Sequence, residues 1–180
     1  SKKWNLCPDI ITYGKVLGGG MPIGLMTCTD EVAATTFYDQ SKRVLTGGTF
    51  SANPLIAAVS LAVLRTLKNQ NYNTIDDLSK LMRSKLNSYF KDKNLPFSMI
   101  GIASISRLAF TNHFFRNRRE RDALESSLMI QEIFRKSLMD QDVLWPTNGI
   151  VFTGFCHSEE QITELSEKVI NAVNSTLESV

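Results

Sequence analysis

The sequence predicts an α/β fold in two parts: an α/β piece over residues 1–70, then a small α+β domain over residues 71–180. Three observations carry this. Residues 9–13 and 24–29 are short, mostly apolar runs on either side of a Gly-rich stretch, and read as buried strands. Residues 54–68 are apolar nearly all round, which marks a buried helix. Beyond residue 70 the helices become one-faced and alternate with short strands, as in helices packed on a small sheet.

Each element has its own warrant. Asp30 is a candidate cap for a helix through about Phe37. A polar loop follows, and Asn53 then stands as an N-cap with Pro54 at the first helical position, where a missing N–H does no harm. Thr74 with Asp77 resembles an acidic variant of the capping box and opens a helix to about Lys91. Its stripe is Leu78, Leu81, Met82, Leu86, Tyr89 and Phe90. Residues 97–102 and 105–110 read as two strands joined by a turn, and Arg119 to Met139 as one helix with Leu124, Leu128, Phe134 and Leu138 on one face. Residues 143–145 and 150–154 read as short strands around the Pro146-Thr147-Asn148-Gly149 turn. Ser158 with Gln161 forms a capping box and starts a last helix, with Ile162, Leu165, Val169, Val173 and Leu177 inward.

Composition excludes several function classes. A net charge of +2 gives no electrostatic case for nucleic acid or an anionic membrane. The cluster Arg116, Arg118, Arg119 and Arg121 is interleaved with Glu120, Asp122 and Glu125, and reads as a solvated helix start. Phe110, Phe114 and Phe115 read as core or interface. No apolar run approaches the ~20 residues of a membrane span. Cys7, Cys28 and Cys156 are odd in number and widely spaced, so reduced thiols in a cytoplasmic protein are expected. His113 and His157 have no metal-ligand spacing, and no metal site is expected.

The chemistry concentrates in residues 8–24, Pro-Asp-Ile-Ile-Thr-Tyr-Gly-Lys-Val-Leu-Gly-Gly-Gly-Met-Pro-Ile-Gly. A phosphate-binding P-loop needs its lysine after the glycines, with Ser or Thr next; here Lys15 precedes them and Val16 follows. The GxGxxG dinucleotide fingerprint is absent too. What remains is a lysine at the end of a strand expected to be buried, with flexible backbone behind it. A desolvated amine is held neutral and can attack a carbonyl. On the residues alone, a surface lysine beside a loop is the competing reading.

This stretch resembles the Schiff-base lysine motif of the class III, pyridoxal-phosphate-dependent aminotransferases. A second segment, Gly47-Gly48-Thr49-Phe50-Ser51-Ala52-Asn53-Pro54-Leu55, resembles that family's Gly-Thr-Phe-Ser-Gly-Asn-Pro loop, with Ala52 at the place of a glycine. The wording Pro-Asp-Ile-Ile-Thr-Tyr-Gly-Lys and the tail Phe155-Cys156-His157-Ser158-Glu159-Glu160-Gln161-Ile162 lean toward the glutamate-1-semialdehyde 2,1-aminomutases and their aminotransferase relatives.

The resemblance implies the C-terminal part of a fold-type-I transferase: the end of the large cofactor-binding domain over 1–70 and the small C-terminal domain over 71–180. It implies pyridoxal 5'-phosphate as cofactor, held by Lys15 through a Schiff base, with the freed amine then acting as acid and base. It implies that Thr49 gives its hydroxyl and N–H to the cofactor phosphate of a neighbouring subunit, with Gly48 allowing close approach, in a homodimer with shared active sites. The substrate would be an amino or keto acid. Residues 143–155 hold no Arg or Lys to grip a substrate carboxylate, which argues against ornithine- or aminobutyrate-type enzymes.

In this family the acid that partners the pyridine nitrogen and the phosphate cup lie upstream of the lysine. Asp9 belongs to the motif itself and is not that acid. The expectation is therefore a piece of an enzyme, inactive alone and completed by an N-terminal half. The alternative is a non-catalytic dimerisation or binding domain derived from an aminotransferase.

Overall fold

The computed structural model describes residues 5–39, 41, 43–44, 47–49 and 51–179. The chain divides into two compact units, Ser1–Gln70 and Asn71–Val180.

In the first unit, β1 (Ile10–Gly14) pairs antiparallel with β2 (Gly24–Cys28), from Ile10 opposite Cys28 to Gly14 opposite Gly24. A 3-10 turn, Lys15–Gly18, leaves the end of β1. Helix α1 (Asp30–Ala33) runs into a wider turn over Ala34–Tyr38. Its cap is Thr29, whose side chain accepts from Val32 N at 3.4 Å, and not the expected Asp30, which is already helical. Helix α2 (Pro54–Lys68) starts where expected, with Asn53 Oδ1 accepting from Leu55 N at 3.0 Å and Ile56 N at 3.2 Å.

Two burial expectations fail here. Among the described residues β1 and β2 form a ladder of two strands, and Ile10, Tyr13, Leu25 and Met26 are exposed. Helix α2 buries only Ile56 and Ser60, and Leu55, Leu61 and Leu64 stay exposed. An all-round apolar pattern asks for cover on every side, and in this unit α2 packs on the turn after β1.

The second unit has a closed core. Helix α3 (Tyr72–Asp92) is capped by Asn71, which accepts from Asn73 N at 3.1 Å; Thr74 lies inside the helix instead of starting it. β3 (Ser98–Ile102), β4 (Ile105–Ala109) and β5 (Ile150–Phe152) form an antiparallel sheet in that order. Residues 143–145 do not form a strand. Asn87 on α3 closes one edge, donating to Met99 O at 2.8 Å and accepting from Met99 N at 2.7 Å.

The expected single helix over 119–139 is two, α4 (Arg118–Leu124) and α5 (Leu128–Met139). The break has a cause. Glu125 is extended, its carboxylate accepts from Phe110 N at 3.3 Å, and Ser126 N donates to Phe110 O at 3.1 Å. The chain leaves the helix to bond with the segment after β4. Leu124 and Leu128 are consequently exposed, while Phe134 and Leu138 are fully buried.

Helix α6 (Glu159–Glu178) carries the expected capping box, with Ser158 N donating to Gln161 Oε1 at 2.9 Å and Gln161 N to Ser158 Oγ at 3.2 Å. It packs on α3 and α5 through Ile162, Val169, Ala172 and Val173; Leu177, expected inward, is exposed. Phe90, Phe97, Phe110, Phe134 and Trp145 run through the core as edge-on or tilted neighbours 5.3–5.9 Å apart. Burying each such side chain contributes roughly 1.5–3 kcal/mol. Phe114, expected in a core or interface, is exposed.

Candidate active site

Lys15 stands where β1 meets the 3-10 turn. Gly14 before it is extended, and Lys15 itself has φ +55°. A side chain in the left-handed region costs roughly 1–2 kcal/mol, and such strain persists only where the surroundings hold it. The holding groups follow at once. Leu17 and Gly18 are buried, Gly19 N donates to Val16 O at 3.1 Å, and Met21 N to Gly18 O at 2.9 Å. Gly19 is left-handed, and a Cβ on it would come within 2.6 Å of Val63 Cγ2 and 3.1 Å of Val59 Cγ1. The glycines thus seat the turn on α2, and Lys15 is presented from a rigid base.

Lys15 is exposed, against the expectation of a lysine at the end of a buried strand. Its backbone is fixed by the turn, but the described residues leave its side chain exposed. Among the described residues no hydrogen bond or ion pair engages that amine.

The second motif forms a cleft of about 610 Å³ in the same unit. Gly48 and Thr49 line it from the loop, Ser51 to Asn53 from the approach to α2, Ile56 and Ala57 from the helix, and Pro22 to Gly24 from the start of β2. Ser51 N donates to Gly48 O at 2.9 Å, which turns the loop back toward the helix. Phe50 of the motif lies outside the described residues. The first turn of α2 has no spare amide. Pro54 has no N–H, Leu55 N and Ile56 N serve Asn53 Oδ1, and Ala57 N serves Asn53 O. The loop offers donors where the helix does not: the hydroxyls of Thr49 and Ser51 bond to no described residue. A Cβ on Gly48 would meet nothing nearer than Ser51 Oγ at 3.7 Å, and one on Gly24 nothing within 4 Å. The two glycines keep the cleft open; they are not required by packing.

The structure brings Gly48 and Thr49 together and leaves Lys15 outside the cleft's lining. Ser51 and the Pro22–Gly24 wall were not singled out from sequence, although both fall inside the two motifs. Among the described residues no cluster of His, Cys, Asp and Glu could hold a metal, and no helix is long and apolar enough to cross a membrane.

Comparisons with known proteins place this geometry. The family model for class-III aminotransferases matches residues 1–103, more than half of the chain. Glutamate-1-semialdehyde 2,1-aminomutase of Thermus thermophilus is 29% identical over 182 residues, covering 96% of this chain and 40% of that protein. The same enzyme of Methanothermobacter thermautotrophicus is 27% identical over 173 residues, covering 93% and 40%. This chain thus spans about 40% of the length of the curated relatives it matches. In three dimensions it is similar to an omega-transaminase from Sphaerobacter thermophilus, with a TM-score of 0.84 at 19% identity over 98% of this chain and 40% of that one. A glutamate-1-semialdehyde aminomutase from Pseudomonas aeruginosa gives 0.81 at 18% identity, over 97% and 41%. The fold is that of part of a transaminase, as the sequence predicts, and the chain belongs to the class-III aminotransferase family.

Proposed function

We propose that this chain is the lysine-bearing part of an enzyme that moves amino groups with pyridoxal phosphate, on the side of the glutamate-1-semialdehyde 2,1-aminomutases. The observation that carries the reading is Lys15, strained at φ +55° on a turn locked to α2 by Gly19. An exposed lysine with no structural duty has no need of such a seat.

The residues present fit the group. Lys15 offers an amine free of described partners. Thr49 and Ser51 offer hydroxyl donors at a cleft whose glycines leave room for a phosphate. When bound, pyridoxal phosphate supplies an electron sink for a proton leaving the substrate carbon beside the nitrogen. Lys15 Nζ would hold the group covalently and, once displaced by a substrate amine, take up and return that proton. The Thr49 hydroxyl and N–H would donate to phosphate oxygens, and Gly48 would let the backbone approach them. That Lys15 is not in the lining of the Thr49 cleft agrees with a shared site, in which each chain's Thr49 serves its neighbour's cofactor. The substrate class is an amino or keto acid, and the working unit a homodimer. The exposed apolar residues of β1, β2 and α2 support a chain completed by further α/β structure, without which it is inactive.

The test is borohydride reduction followed by peptide mass spectrometry, on protein taken from its source with whatever it assembles with. A reduced cofactor adduct on Lys15 is expected. An adduct on a different lysine, or none in an assembly of full family length, overturns the reading.

A further inference from the structure

A second, unrelated feature lies in the unit from Asn71 to Val180. Arg107 on β4 and Trp145, which leads the Pro146–Gly149 turn, both line a small, partly open hollow whose other walls include Phe110, Phe134, Gln131 and Thr147. The Arg107 guanidinium is mostly committed. Its Nε donates to Asn148 O at 2.8 Å and its Nη2 to Glu125 Oε2 at 3.1 Å. Its Nη1 is buried and has no partner. Trp145 is 5% exposed, and its indole Nε1 is likewise buried and unpartnered. Two residues that line one small space thus each carry a buried N–H without a partner, one of them on a cation.

Its size and charge select the occupant. The hollow measures about 10 Å³ as space open to the centre of a water, roughly the least that admits one molecule and too little for any organic group. The two arginines that line the hollow each have a carboxylate partner, Arg107 with Glu125 at 3.1 Å and Arg135 with Glu132 at 3.0 Å, so neither calls for an anion there. We propose that the hollow is a binding site for a single ordered water, whose two lone pairs accept from Arg107 Nη1 and Trp145 Nε1. The water completes the hydrogen bonding of the guanidinium and joins β4 to the Trp145–Gly149 turn, which Arg107 already holds at Asn148.

The test is nuclear Overhauser spectroscopy in both laboratory and rotating frames on the ¹⁵N-labelled 180-residue chain. It reads contacts from the Trp145 indole N–H to water. The chain has two tryptophans, so the signal is assigned by its loss in Trp145→Phe, or by elimination with Trp4→Phe if the first variant does not fold. The expected result is a cross-peak at the water frequency whose signs are those of water tumbling with the protein. A peak with the signs of simple proton exchange, or no peak, overturns the proposal. A shift of the indole signal on adding chloride to chloride-free buffer overturns it too, by showing an ion in the water's place.

Discussion

A Cβ built on Gly19 would stand 2.6 Å from Val63 Cγ2, closer than real side chains approach. The turn that carries Lys15 is thus keyed to α2 at one residue. Gly19→Ala adds a left-handed penalty of roughly 1 kcal/mol and an overpacking penalty of roughly 1–3 kcal/mol. Gly20, at φ +94° with nothing within 4 Å, carries only the first kind. Urea unfolding followed by circular dichroism is expected to show Gly19→Ala well below Gly20→Ala in midpoint. Adding Val63→Ala to Gly19→Ala is expected to recover part of the loss; equal midpoints for the two glycine variants would show that the key is not there.

Ala52 has φ +57° in the loop before α2, a backbone region that favours glycine. An L-residue there is strained by roughly 1–2 kcal/mol, and glycine gives back part of the relief through its freer unfolded state. Ala52→Gly is expected to stabilise the chain by about 0.5–1 kcal/mol, seen as a raised denaturant midpoint with unchanged slope.

How legible the fold was depended on whether the signal was local. Asn53-Pro54 and the Ser158–Gln161 box are complete within a few residues, and both helices start there as read. The break at Glu125 was invisible because its cause, the Phe110 backbone and Arg107, lies on another element. Burial of α2 was misread for a related reason: an apolar pattern states a need for cover, not that the same chain meets it. The two site motifs were legible as text, yet the left-handed backbone of Lys15 has no sequence mark at a non-glycine residue. That Lys15 does not line the Thr49 cleft follows from folding, not spacing.

The Glu125 side chain is 6% exposed; it accepts from Arg107 Nη2 at 3.1 Å and Phe110 N at 3.3 Å and forms an ion pair with Arg121 at 3.4 Å. Glu125→Ala leaves two largely buried guanidinium groups side by side. Breaking such a pair from one end costs roughly 3–5 kcal/mol, whereas replacing both ends with apolar groups is often near neutral. Thermal unfolding is expected to place Glu125→Ala far below the double variant Glu125→Leu, Arg107→Met. If the double variant were as weak, the pair would not be the cause.

Asp122 is held below the usual carboxylate range, chiefly by a hydrogen bond from the Arg121 side chain; desolvation is the next largest effect and opposes it, and the charge of Arg121 with the hydrogen bond and charge of Arg118 lower it further. A carboxyl lowered in the folded state contributes stability that is complete above its unfolded value and is lost as pH falls through the folded value. The carboxylate is half-exposed, so salt screens this contribution. Carbon-detected titration is expected to find Asp122 below the ordinary range of a free carboxylate. Arg121→Gln is expected to bring it back up, and no movement would assign the depression to another group.

Thr49 and Lys15 offer the sharpest test of a shared site. If Thr49 donates to a cofactor phosphate, Thr49→Ala loses a hydrogen bond to a charged group, roughly 1.5–3 kcal/mol, or about 10- to 140-fold in cofactor affinity. Thr49→Ser keeps the hydroxyl and is expected to stay near wild type. Complementation then decides which chain each residue serves. In a mixed dimer of Lys15→Ala and Thr49→Ala chains, a shared site pairs the intact Lys15 of one chain with the intact Thr49 of the other. One of the two sites is whole, and tight cofactor binding is expected to return on mixing the assembled proteins. A site built within one chain has no such rescue, because each chain carries its own defect. Absorbance of bound cofactor against total cofactor reads the difference directly.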